Sequence, residues 1–161
     1  MTHSKKKKNS SLIDVRLNDI QAIHPAIQNA VATTANLIYA SAPDDYSEPA
    51  LHCLLVIHPI HVVKLEGKLY VIAGFRSYEL ACLRLSEGAQ ITCILHTSLA
   101  SEELSDIAII DIAGSPIMHS LGPKYVQQLQ TLALSFSHRA SLLFPKLKSI
   151  RRIRGQKKTS D

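Results

Sequence analysis

The sequence predicts a small mixed α+β domain, a modest β-sheet with packed helices followed by a long amphipathic C-terminal helix. Three observations lead there. The 161 residues are 46% apolar, enough for one core. Hydrophobic spacing switches several times between the alternation of a strand and the three-to-four step of a helix. Between residues 60 and 81 a hairpin runs straight into a helix whose start carries Gly74, Arg76 and Ser77.

The elements follow in order. Leu12, Ile13, Val15 and Leu17, with Asp14 and Arg16 between them, predict a half-buried first strand. From Ile23 the apolar positions move to Ile27, Ala30, Val31, Leu37 and Ile38, a helical spacing that Ser41-Ala42-Pro43-Asp44-Asp45 ends. Residues 41–49, closed by Pro49, read as an exposed loop. The apolar run 51–57 stops at His58-Pro59. Residues 60–65 and 69–73 then form two strands about a Glu66-Gly67-Lys68 turn.

Ser77 stands at the mouth of the next helix, which carries Leu80, Ala81, Leu83 and Leu85 and is expected to end at Gly88. Residues 90–96 return as a β-rich strand. Ser101-Glu102-Glu103 opens a helix with acids where the dipole favours them, and Leu104, Ile107 and Ala108 mark its buried side. Gly114-Ser115-Pro116 breaks the chain. Beyond Pro123, residues Val126, Leu129, Ala133, Phe136, Ala140 and Leu143 are spaced for a helix that packs on the domain or forms a dimer seam. The expected divisions are a basic tail over 1–11, the domain over 12–122, the long helix over 123–145 and a second basic tail over 146–161.

Charge is unevenly placed. Residues 9–145 hold seven Lys and Arg against twelve acids, leaving a body of net −5 between ends of net +10. Lys5, Lys6, Lys7 and Lys8 at one end, and Arg151, Arg152, Arg154, Lys157 and Lys158 at the other, suit contact with nucleic acid phosphates. The other reading of such runs is a solvated tail. Cys53, Cys82 and Cys93 are odd in number and set among apolar residues, so they read as small buried hydrophobes in a reducing compartment. No apolar run of spanning length or export signal is visible, so a cytoplasmic setting away from the membrane is expected.

Gly74 suits close approach of backbone to a ligand, Ser77 offers a hydroxyl, Arg76 a bidentate fork, and a helix start presents unpaired N–H groups to an anion. Phe75 and Tyr78 complete this phosphate or nucleotide set. On the bland reading Ser77 caps the helix and Arg76 pairs with Glu79 or Glu66. A metal site is not expected: His58 and His61 should diverge along an extended segment, and no Cys-x-x-Cys or His-Glu-x-x-His run is present.

The order of these features, from Pro59-Ile60-His61-Val62-Val63 through Tyr70-Val71-Ile72-Ala73-Gly74-Phe75-Arg76-Ser77-Tyr78-Glu79 to Ile91-Thr92-Cys93-Ile94-Leu95 and Glu102-Glu103-Leu104, resembles the N-terminal domain of ParB-type partition proteins and their ParB-like nuclease relatives. The resemblance covers 57–111 and reaches back to Val15-Arg16-Leu17-Asn18-Asp19-Ile20. It implies the ParB/sulfiredoxin fold and a Gly-x-Arg-Arg box that contacts nucleotide phosphates. Gly74 and Arg76 match that box, Ser77 replaces its second arginine, and Phe75 stands where an acid is frequent. Of the family's second nucleotide motif only Asp111 is present. Phe75 also occupies the place of the sulfiredoxin cysteine.

The favoured reading is a ParB-like, DNA-associated binding module, partition-related, with a phosphate or nucleotide at Gly74 to Tyr78. One alternative is a ParB-like nuclease or nucleoside triphosphatase using Mg²⁺, with Glu79 and Asp111 as catalytic candidates. Another is a degenerate, non-catalytic interaction domain, dimeric through its long helix.

Overall fold

The structure is a computed structural model that describes residues 10–32 and 42–114. The long helix expected over 123–145, both basic runs, and Leu37 and Ile38 lie outside these residues.

Five strands form one mixed sheet: β1 (Ser10–Arg16), β2 (Ile20–Ile23), β3 (Ile60–Leu65), β4 (Lys68–Ala73) and β5 (Gln90–His96), in spatial order β1-β5-β3-β4-β2. β3 and β4 are the expected antiparallel hairpin. β5 lies parallel to β3 and antiparallel to β1, and β2 pairs parallel with β4. β3 is therefore central, and Ile60 and Val62 are fully buried. Each such side chain contributes about 1.5–3 kcal/mol by leaving water.

Alternation along the strands serves both faces of the sheet. On one face Ile60, Val62, Val71, Ile91 and Cys93 pack against helices α2 (Glu48–Ile57) and α3 (Phe75–Arg84), which contribute Leu51, Leu55, Leu80 and Ala81. On the other, Val63 and Ile72 meet Leu104 and Ala108 of helix α4 (Ser101–Ile109), together with Ile27. α4 continues into a wider π-helical turn over Ile110–Gly114.

Several expectations change on this frame. The helix expected from Ile23 begins later: β2 occupies Ile20–Ile23, a tight turn covers Pro25–Ile27, and the short helix α1 spans Gln28–Ala32. Residues 42–49 are not simply loop. Pro43–Asp45 makes a helical turn, Ser47 Oγ accepts from the Ala50 N–H to cap α2, and Pro49 sits in the first turn of that helix. α3 starts at Phe75, so Ser77 lies inside it, and it ends at Arg84 rather than Gly88. Cys93 alone is buried, with its thiol pushed up to about 11 by burial first and by Asp14 next, whereas Cys53 and Cys82 are exposed.

Between the pairs His61–Ala73 and Val62–Val71 the register shifts, so β4 carries one extra residue there. Such a bulge re-aims the strand end, and Gly74 follows directly. Gly74 adopts φ 75° and ψ 33°, and a Cβ on it would lie 2.7 Å from the Pro59 carbonyl oxygen. Gly74→Ala is therefore expected to cost roughly 2–4 kcal/mol, from the left-handed conformation plus the clash with backbone. Gly88, with nothing near its missing Cβ and no positive φ, should accept alanine within about 0.5 kcal/mol. Urea unfolding of the two variants checks this, and equal midpoints would contradict the Gly74 argument.

Candidate functional site

The turn from β4 into α3 presents the Gly74 and Phe75 N–H groups at a helix start, where neither has an intrahelical acceptor. Both donate to Oδ2 of Asp111, at 2.8 and 3.1 Å. The place expected to hold a phosphate thus holds a carboxylate of the same chain. Asp111 lies in the turn after α4, on the opposite face of the sheet from α3, so this pair of hydrogen bonds joins the two helical layers past the end of β4.

The other expected members of the set are also engaged. The Ser77 hydroxyl is buried and donates to the His58 carbonyl at 2.8 Å, which ties α3 to the segment before β3 rather than capping the helix. Arg76 pairs with Glu79 at 2.6 Å. This is the bland pairing anticipated from sequence, and it engages the carboxylate of one catalytic candidate. Tyr78 packs against the α2–α3 core and bonds with Cys82, and its phenol is pushed up to about 12 by burial and by that cysteine. Phe75 packs on both core clusters.

A second constellation lies beside Asp111. His61 Nδ1 and His96 Nε2 are 2.8 Å apart, with ring centroids 5.1 Å apart and planes inclined by 19°. The excess of the centroid separation over the nitrogen separation is about the sum of the two ring radii. The nitrogens therefore lie between the centroids, and the rings meet edge to edge in line rather than face to face. One proton fills that line, with one imidazole donating and the other accepting. Lone pairs directed at each other do not converge on a third point as a metal chelate requires.

The two histidines line an open cleft of about 450 Å³ with Asp106, Asp111 and the apolar side chains of Ile107 and Ile110. Burial pushes the His61 imidazole down from its ordinary 6.5, against the upward pull of the Asp111 charge. Sequence reasoning compares His61 with His58, but its partner is thirty-five residues away. The parallel pairing that sets His61 opposite Ile94 puts His96 two residues along the same face. Only that register brings the two together, and no local signal encodes it.

Two outcomes follow. Asp111→Ala, which strands two backbone donors, should lower stability by about 2–3 kcal/mol, with Asp111→Asn losing less because an oxygen acceptor remains. Urea titration reads both, and an unchanged Asp111→Ala midpoint would remove the clamp. For His61, the folded state disfavours the charged ring, so the unfolded chain binds more protons below the unfolded value. Its contribution to stability is then full above 6.5 and is lost as pH falls below 6.5 toward the folded value. His61→Gln should flatten the dependence of the unfolding midpoint on pH between about 8 and 5. An equally steep variant would contradict it.

No family model matches the chain, and no curated protein matches its sequence. Among solved structures, it is similar to the C-terminally truncated chromosome-partitioning protein ParB from Caulobacter crescentus, determined in complex with CTP-γ-S. The two superpose with a TM-score of 0.50 at 13% identity, over 79% of this chain and 65% of that one. This chain thus spans about two thirds of the length of that relative, and the likeness is one of fold. The five-stranded mixed sheet with its packed helices is a ParB-like fold.

Proposed function

We propose that the chain is a ParB-like, DNA-associated binding module whose anion cradle at the start of α3 takes a phosphate or nucleotide in exchange for Asp111. The observation that carries this reading is the pair of hydrogen bonds from Gly74 and Phe75 to the Asp111 carboxylate. The turn already binds an oxyanion, and a phosphate oxygen has the same charge sign and acceptor geometry. Arg76 stands one residue beyond these donors and would meet the incoming group by leaving Glu79, an exposed i,i+3 pair worth no more than about 1 kcal/mol. The nucleotide in the ParB relative supports a nucleotide as the class to test first.

Binding is favoured over turnover. A hydrolase of this kind would need Glu79 and Asp111 available for a proton or Mg²⁺, and each is engaged, one by Arg76 and the other by the backbone of α3. The basic runs at Lys5 to Lys8 and Arg151 to Lys158 supply the DNA contact, in a chain whose remaining residues are net acidic.

Two measurements test the two halves. In scanning fluorimetry, a nucleoside triphosphate panel should raise the melting temperature of Asp111→Ala more than that of wild type, and Arg76→Ala should lose the response. Wild type and Asp111→Ala both indifferent to every nucleotide would end the cradle reading. Replacing Lys5–Lys8, Arg151, Arg152, Arg154, Lys157 and Lys158 by Gln in the full chain should reduce both DNA affinity and its slope against log salt, by roughly 0.9 for each phosphate no longer neutralised. Fluorescence anisotropy on duplex DNA reads this, and an unchanged slope excludes the tails.

A further inference from the structure

We propose that a second cleft, separate from the α3 cradle, is a binding site for the phosphate of a small organic phosphomonoester. This cleft, of about 530 Å³, opens between the end of β3, the loop after β5 and the start of α4. It shares His96 with the acidic cleft but differs in charge: Lys64, His24, Ser98 and Ser101 face it, and among the described residues no Asp or Glu lines it.

His24 is the central observation. The residue is 9% exposed, its ring is held edge-on to Tyr70, and its Nδ1 accepts the Ala26 N–H at 3.2 Å. An Nδ1 that accepts carries no proton, so in the neutral ring the proton sits on Nε2. That N–H has no hydrogen-bond acceptor among the described residues, yet no side-chain nitrogen or oxygen is both fully buried and unpaired. Nε2 therefore opens to the cleft that the ring lines, as a fixed donor in an otherwise enclosed position. An open donor on a ring held this firmly is pre-aimed, so an incoming acceptor needs only to displace the water it would otherwise meet.

Lys64 adds a full positive charge on the same cleft and has no carboxylate partner among the described residues. The start of α4 contributes little net field, because Glu102 and Glu103 stand in its first turn and Glu103 accepts from the Ala100 N–H at 3.0 Å. The attraction for an anion rests instead on His24 and Lys64, with the Ser98 and Ser101 hydroxyls able to donate to further oxygens. Several donors from separate elements suit a many-oxygen dianion better than a carboxylate. Leu95 and Leu99 wall the rest of the cleft, which is larger than inorganic phosphate needs and leaves room for an apolar body.

The test uses the full chain, with phenyl phosphate as probe and phenol and benzoate as controls, followed by NMR of the imidazole resonances. Phenyl phosphate should shift the His24 signals saturably, phenol should not, and benzoate should bind more weakly. His24→Asn keeps an oxygen to accept from Ala26 N–H but lacks the Nε2 donor, so it should fold and lose binding. Lys64→Gln, at an exposed position, should weaken binding about tenfold. Arg76→Ala should leave the His24 response unchanged, which separates this cleft from the α3 cradle. The proposal is overturned by no saturable shift with phenyl phosphate, by benzoate binding as tightly, by full affinity in Lys64→Gln, or by loss of the response in Arg76→Ala.

Discussion

Everything around the candidate site depends on how closely Gly74 approaches the carbonyl of Pro59. The absence of a Cβ lets β4 end against the start of β3, and the positive φ turns the chain at once into α3. Any side chain there would push the end of β4 away from the start of β3. The same sharp turn leaves two adjacent N–H groups pointing away from α3 with nothing in the helix to accept them. A donor pair of this kind must find water, a ligand or another part of the chain. Here it finds Asp111, and in doing so fastens the α4 side of the sheet to the α3 side.

That fastening decides how the cradle behaves toward a ligand. Asp111 is covalently part of the domain, so its carboxylate competes as an intramolecular group at high effective concentration. An external anion must exceed that local advantage, or bring further interactions Asp111 cannot make, such as with Arg76. On the proposed reading, occupation would be an exchange between two anions on one pair of donors, with apparent affinity equal to the intrinsic affinity multiplied by the fraction of time the carboxylate is away. Because Asp111 also acts on His61 by its charge, its departure would be felt in the neighbouring cleft.

Local patterns carry most of the fold. The alternation over 60–73, the turn at Glu66-Gly67 and the acids at the start of α4 each have a short-range cause, and these elements stand where expected. The α2 run, Ala50-Leu51-His52-Cys53-Leu54-Leu55-Val56-Ile57, is apolar on nearly every side and leaves Val56 and Ile57 exposed, so its periodicity does not separate helix from strand. Its signal lies upstream, in Ser47 and Pro49, residues that equally suit a loop. β2 is four residues long with Gln21 and Ala22 exposed, too short to show a pattern. At the site, Gly74, Arg76 and Asp111 are legible as residues but not as partners, because the closure of Asp111 on Gly74 spans thirty-seven residues. The same holds for His61 with His96 and for the His24 nitrogen that has no acceptor among the described residues.

His96 is where these separate features meet. It ends β5 with the acidic cleft of Asp106 and Asp111 on one side and the Lys64–His24 cleft on the other. Its in-line contact with His61 holds one proton between two rings, and burial opposes a positive charge on His61. Asp111 favours that charge from the acidic side, and a dianion beside Lys64 would favour it from the basic side. Both anions would therefore oppose the effect of burial on His61, and the proposed exchange at Gly74 would remove one of them. If both proposed sites are occupied, the two clefts would be coupled electrostatically through His61 without any movement of the sheet, in proportion to how far each anion lowers the cost of charging that half-buried imidazole.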